Sequence, residues 1–182
     1  VSGKGVSSAL LASLLQGAFL TATESSELMA KRVRGLNRFL HERTEGGKYA
    51  TIFYSLLERG GRFRYINAGQ CAPIVISPDG RYEYLEATAM PVGILEDAEF
   101  TVEERHLAPG DRIVIYTDGV TEAPNLRGEF FGRKQLRELV VAHAADSCAV
   151  LHDSILRAVK VFTDSAMQTD DVTLVVVEYR RA

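Results

Sequence analysis

Ile113-Val114-Ile115-Tyr116-Thr117-Asp118-Gly119-Val120-Thr121-Glu122 decides how this chain is read. A short apolar, largely β-branched run stops abruptly at Asp118-Gly119, as a buried strand does when it reaches an edge of its sheet. A second stretch mirrors it: Thr169-Asp170-Asp171 runs straight into Val172-Thr173-Leu174-Val175-Val176-Val177. Carboxylates follow one strand and precede the other. If the two strands lie antiparallel and adjacent, Asp118 and Asp170 or Asp171 converge at one edge. Two like charges ~4 Å apart repel by ~1 kcal/mol in water and ~4 kcal/mol at an effective dielectric of ~20. Such a cluster implies a cation between the carboxylates, or a protonated carboxyl, or a wider separation. Hard divalent cations such as Mg²⁺ and Mn²⁺ take oxygen donors of this kind. Spacing alone equally fits a plain Asp-Gly turn and a polar lead-in to a strand.

The 182 residues suit one domain with a single core. Hydrophobic residues make up 46% and charged residues 25%, a soluble globular balance. A net charge of -3 gives no general attraction to nucleic acid or to an anionic membrane. Cys71 and Cys148 have neither metal-ligand spacing nor the density of a disulfide framework. No apolar run reaches membrane-spanning length, and nothing resembles a signal peptide. The first residue is Val, which suggests a piece of a longer protein.

Val1-Ser2-Gly3-Lys4-Gly5 reads as a glycine loop, and it lacks the Ser or Thr that a phosphate-binding loop needs after its Lys. An almost uniformly apolar helix follows over about 6–22, capped by Ser7 or Ser8 and expected to be buried. Its apolar surplus also suits a neighbouring subunit or an upstream helix. A second helix over about 26–41 carries Leu28, Val33, Leu36, Phe39 and Leu40 as its stripe. Strands are expected at 49–57, 63–67, 74–77 and 82–85, with breaks at Arg59-Gly60-Gly61, Ala68-Gly69-Gln70 and Pro78-Asp79-Gly80. Such short links favour hairpins and antiparallel pairing. Residues 86–99 read as loop, 100–107 as an edge strand, and the segment after Asp118 as irregular through Gly128. Helices are expected over 132–142 and 147–162, the latter capped by Asp146 or Ser147.

In order along the chain stand Val1-Ser2-Gly3-Lys4-Gly5, Asn67-Ala68-Gly69, Pro91-Val92-Gly93-Ile94, Pro109-Gly110-Asp111, Tyr116-Thr117-Asp118-Gly119-Val120-Thr121-Glu122 and Gln168-Thr169-Asp170-Asp171-Val172-Thr173-Leu174. With these motifs the sequence closely resembles the bacterial metal-dependent serine phosphatases of the stage II sporulation protein E type, a branch of the protein phosphatase 2C-like (PPM) superfamily. The resemblance covers residues 1–182. It implies an α/β (α+β) fold, a four-layer α-β-β-α sandwich of two mostly antiparallel sheets flanked by helices. It also implies a two-metal site filled by Mn²⁺ or Mg²⁺. On the family pattern Asp118 and Asp170 ligate one metal and the backbone carbonyl of Val1 the other, with Gly119, Asp171, Gly3 and Lys4 near the site. The implied chemistry is in-line attack on phosphorus by a metal-bound hydroxide. The implied substrate is a phosphoserine or phosphothreonine protein, typically an anti-sigma-factor antagonist, in bacterial signal transduction. Upstream sensor or response-regulator domains belong to the same pattern; a cytoplasmic location and a homodimer are expected as well.

The chain departs from that pattern at Gln70, where the family usually has His. The family's bridging Asp before Val1, its Gly-Asp-x-Tyr-Asp segment and its first strands would all lie upstream. The expected consequence is an incomplete site, with this stretch alone inactive. The rival reading is a non-catalytic regulatory domain of the same fold that binds a phosphoprotein or antagonist partner. Carboxylates at both 118 and 170 argue for the enzyme, because a binding domain has no need to maintain their repulsion.

Overall fold

Two antiparallel hairpins, Ile52–Leu57 (β1) with Arg62–Ala68 (β2) and Ile74–Ile76 (β3) with Tyr82–Tyr84 (β4), each found a sheet. The computed structural model describes residues 1–3, 5–19, 26–44, 47–164 and 170–181. They fall into two units. The first comprises Val1–Glu58, Arg62–Gln70 and Ala87–Arg105; the second comprises Arg59–Gly61, Cys71–Glu86 and His106–Ala182. The fold class is the expected mixture of helices with two antiparallel sheets. No helix among the described residues is long and apolar enough to cross a membrane.

In the first unit, β1 and β2 run in register from Ile52↔Ala68 to Leu57↔Phe63. Glu103–His106 (β5) adds a third strand on the far side of β2, so the expected edge strand is at an edge. Two helices, Val6–Ala18 (α1) and Ser26–Thr44 (α2), precede the sheet. The α2 residues Met29, Val33, Leu36 and Leu40 are buried with Ile66, Ala68, Val92 and Phe100. Their 4-3-4 spacing defines one helix face. Leu28, expected on that face, lies a helical step away and is exposed.

The all-round burial expected of α1 is not observed. Leu15 is buried, with Leu11 and Phe19 half-buried against the same cluster. Val6, Leu10 and Leu14 recur every four residues and are 77%, 61% and 56% exposed. The expected serine cap is also absent: the N-cap is Gly5, and the Ser8 hydroxyl instead donates to the Ser2 carbonyl at 3.1 Å. The Ser7 side chain and residues 20–25 lie outside what is described.

The Asn-Ala-Gly and Pro-Val-Gly motifs meet in this unit. Gly69 has φ 78°, and a Cβ there would sit 2.4 Å from Pro91 Cγ. Gly93 has φ 95°, and its Cβ would sit 2.7 Å from the Lys48 carbonyl. Both positions exclude a side chain by backbone conformation and by space. Buried Asn37 on α2 holds the second motif. Its Oδ1 accepts from Gly93 N at 2.8 Å, and its Nδ2 donates to the carbonyls of Leu95 and Glu96, both at 2.8 Å. No hairpin forms at Gly69, contrary to expectation: β2 belongs to one sheet and β3 to the other.

The second unit's sheet has the order β4-β3-β6-β7, where β6 is Arg112–Tyr116 and β7 is Leu174–Glu178. Pro109-Gly110-Asp111 turns the chain into β6, with Asp111 Oδ2 accepting from Ala108 N at 2.8 Å. After β6 come a short helix, Asp118–Thr121 (α3), then Gly132–Ala142 (α4) and Cys148–Thr163 (α5). The last two match their expected positions, and Ser147 caps α5 by accepting from Val150 N at 3.3 Å. Leu136, Val140, Leu151, Ile155 and Val159 pack with Ile74, Ile76, Val114 and Tyr116. Each sheet thus has a cluster of buried apolar residues shared with its own helices.

Candidate functional site

The expected pairing at the heart of the sequence is present. Strands β6 and β7 are antiparallel neighbours in register from Arg112↔Glu178 to Tyr116↔Leu174. Thr117 extends the ladder by one residue through its N–H, which donates to the Thr173 carbonyl at 3.1 Å. Its hydroxyl accepts from Thr173 N at 3.0 Å and donates to the Asp171 carbonyl at 3.2 Å. Thr117 is also the N-cap of α3, with an extended backbone, but its hydroxyl is committed to β7 and makes no capping bond.

Asp118 opens α3 where the sequence suggested an irregular segment. Its Oδ1 accepts from Gly119 N at 3.0 Å, and its carbonyl accepts from Glu122 N at 2.7 Å. Gly119 is buried, and a Cβ built on it would stand 2.3 Å from the Asp171 carbonyl oxygen and 2.8 Å from its carbon. Glycine is required here by space rather than by φ. The first turn of α3 thus lies backbone to backbone on the Asp171–Val172 segment. Asp118 and Asp170 are brought to the same end of adjacent strands, and Asp118, Asp170 and Asp171 are all exposed. Asp170 Oδ1 accepts from Asp171 N at 2.8 Å.

Cys71, Arg133 and Tyr116 also share this end of the sheet, and sequence reasoning assigned a role to none of the three. Burial pushes the Cys71 thiol up, and the charge of Asp118 adds to the shift. Glu122 acts in the same direction and Arg133 against it, so all three charged groups lie within electrostatic reach of Cys71. The Arg133 guanidinium stacks over the Tyr84 ring at 4.4 Å and pairs with Glu86 at 3.1 Å. Burial also pushes the Tyr116 hydroxyl up to about 12. The register could have found Cys71: it lies three residues before Ile74, whose partner is Val114, so extending that pair reaches Thr117.

Val1 and Gly3 belong to the first unit; Asp118, Gly119, Asp170 and Asp171 belong to the second. Ser2 is tied to Tyr49, its N–H donating to the Tyr49 carbonyl at 2.7 Å and its hydroxyl accepting from Tyr49 N at 2.9 Å. Lys4 lies outside the described residues. Gln70 N donates to Asn67 Oδ1 at 2.9 Å, which makes position 70 part of the Asn-Ala-Gly turn.

Exposed carboxylates held at one strand edge are hard oxygen donors of the kind Mn²⁺ and Mg²⁺ accept. They are part of a donor set: among the described residues no three His, Cys, Asp or Glu side chains are grouped to hold a metal ion.

The architecture is that of the protein phosphatase 2C-like fold. The likeness to the crystal structure of the RsbU and RsbW domains of Rv1364c from Mycobacterium tuberculosis has a TM-score of 0.78 at 29% identity, covering 99% of this chain and 51% of that one. The catalytic domain of the serine/threonine protein phosphatase PstP in complex with two manganese ions has a TM-score of 0.63 at 16% identity, covering 93% of this chain and 80% of that one. The family model for stage II sporulation protein E (SpoIIE) matches residues 1–180, and the chain belongs to that family. Among curated relatives, the phosphoserine phosphatase RsbU of Bacillus subtilis is 29% identical over 178 residues, which are 97% of this chain and 52% of RsbU. The chain therefore spans about half the length of that relative.

Proposed function

We propose that residues 1–182 belong to the phosphatase domain, without its N-terminal part, of a metal-dependent protein serine/threonine phosphatase in bacterial sigma-factor regulation. The substrate in this reading is a phosphoserine or phosphothreonine on an anti-sigma-factor antagonist, and the reaction is cytoplasmic. The observation that carries the proposal is the seating of Gly119 on Asp171, which fixes Asp118 beside the strand entry that carries Asp170. A rigid pair of strands makes a more exact platform for charged groups than a loop does.

Asp118 and Asp170 would hold a divalent cation, with the Val1 carbonyl assigned to a second one by the family resemblance alone. When bound, such a cation lowers the pKa of water and neutralises charge on phosphoryl oxygens. The chain's own contribution is placement. Thr117 locks the end of β6 to Asp171 and Thr173, and α3 directs the Asp118 backbone into its first turn. The names of RsbU and PstP support the activity, and the manganese ions bound to PstP support the metal class. The test is phosphate release from a serine-phosphorylated antagonist by the full-length protein. Release that needs Mn²⁺ or Mg²⁺ and stops with a chelator is expected; release indifferent to both would overturn the metal-dependent reading.

A further inference from the structure

The segment between α3 and α4 is ordered more tightly than a surface loop requires. Pro124 bridges Phe130, Asn125 N donates to the Glu129 carbonyl at 2.9 Å, and Phe131 N donates to the Ala123 carbonyl at 3.0 Å. Asn125 braces the tip with its side chain. Its Oδ1 accepts from Arg127 N at 2.9 Å and Glu129 N at 3.0 Å, and its Nδ2 donates to Glu129 Oε2 at 2.8 Å. Phe131 anchors the base in the core, edge-on to Phe162. Yet this braced hairpin leaves Leu126 70% and Phe130 60% exposed. Between them Arg127 is exposed, and among the described residues its guanidinium makes no ion pair or hydrogen bond.

The base of the hairpin lies one helical turn from Asp118: Glu122 N donates to the Asp118 carbonyl at 2.7 Å, and the next residue, Ala123, accepts from Phe131 N at 3.0 Å. Glu122 immediately precedes it and Arg133 follows it, and both act electrostatically on Cys71, as Asp118 does. Four residues of chain separate Ala123 at the base from Arg127 at the turn, a reach of up to roughly 13 Å at ~3.3 Å per extended residue. A standard protein interface covers ~800 Å² per partner, a patch of about 16 Å radius. A folded substrate with its phosphoserine at Asp118 therefore reaches the tip. The Arg127 guanidinium complements an acidic surface around the phosphoserine, and the two apolar side chains suit a folded partner.

We propose that the 123–131 hairpin is a docking element for the folded phosphoprotein substrate, with Leu126 and Phe130 as apolar anchors and Arg127 as its cationic contact. The proposal rests on the phosphatase reading above. It is tested in the full-length protein with the double substitution Leu126→Ser/Phe130→Ser and, separately, Arg127→Ala. KM for the serine-phosphorylated antagonist should rise at least about ten-fold in the double variant, as loss of anchor side chains does. Hydrolysis of p-nitrophenyl phosphate, which is too small to touch the tip, should be unchanged. Arg127→Ala should weaken turnover of the antagonist mainly at low salt. An unchanged KM for the antagonist overturns the proposal. So does an equal loss on both substrates, or a loss of self-association without a kinetic effect, which would make the tip an interface between copies. If the unaltered protein hydrolyses neither substrate, the phosphatase reading has failed. Binding of the phosphorylated antagonist then decides docking by itself: weaker in the double variant if the tip docks it, equal or absent if it does not.

Discussion

Replacing Gly119 with Ala adds one methyl group where the structure has no room. That carbon would stand 2.3 Å from the Asp171 carbonyl oxygen, 2.8 Å from its carbon and 3.3 Å from Val172 N. All three are backbone atoms beside the β6–β7 ladder, so the clash cannot be relieved by turning a side chain. Overpacking of this kind costs about 1–3 kcal/mol. Against it stands the gain of Ala over Gly in a helix, about 0.5–1 kcal/mol. Because the clash is with fixed backbone, the cost falls in the upper half of that range, and the net loss is about 1–2.5 kcal/mol, or very roughly 2–10 °C in melting temperature for a domain of this size. Gly35→Ala is the internal control. Gly35 lies within α2, is exposed, and has nothing within 4 Å of a built Cβ. Only the helix term applies there, so that variant should melt higher than the unaltered protein. Thermal denaturation followed by circular dichroism reads both. Opposite signs are expected; Gly119→Ala melting at or above the unaltered chain would refute the close approach of α3 to Asp171.

Asn37→Ala should cost about 2–4 kcal/mol in urea unfolding, because it strands the Gly93 N–H and two carbonyls that the buried amide now satisfies. The loss should appear as a lower midpoint at constant m-value, and a loss well under 1 kcal/mol would mean that water replaces the amide. Ser147→Ala should cost about 1 kcal/mol by the same assay through loss of the α5 cap; no change would mean that the cap contributes nothing.

What the sequence disclosed follows from how local each signal was. The β6 and β7 runs are β-branched, bounded by carboxylates and adjacent in the sheet, so pattern alone placed Asp118 and Asp170 at one strand end. The α4 and α5 stripes were equally plain. The face of α1 was not, because Val6, Leu10 and Leu14 are as apolar as the buried Leu15 and only tertiary packing separates them. Asn37 was passed over because a polar residue beside an apolar stripe reads as surface, whereas its partners lie more than fifty residues away. Cys71 comes within electrostatic reach of Asp118 and Arg133 only through tertiary structure, since the three are far apart in sequence. The break at Gly69 resembled a hairpin turn, but strand pairing, which no local signal carries, passes the chain there from one sheet to the other.

The central claim is that Asp118 holds the catalytic cation, and the Asp118→Asn substitution in the full-length protein tests it most directly. Asn keeps the size of the side chain and removes the charge, while the Gly119 and Glu122 hydrogen bonds can persist. Mn²⁺ binding by calorimetry and phosphate release from the serine-phosphorylated antagonist are measured together, with circular dichroism as the check on folding. The account predicts a native spectrum, much weaker Mn²⁺ binding, and activity reduced by more than the roughly 10–100-fold that loss of an outer-sphere partner causes. Mn²⁺ affinity and turnover equal to those of the unaltered protein would contradict it.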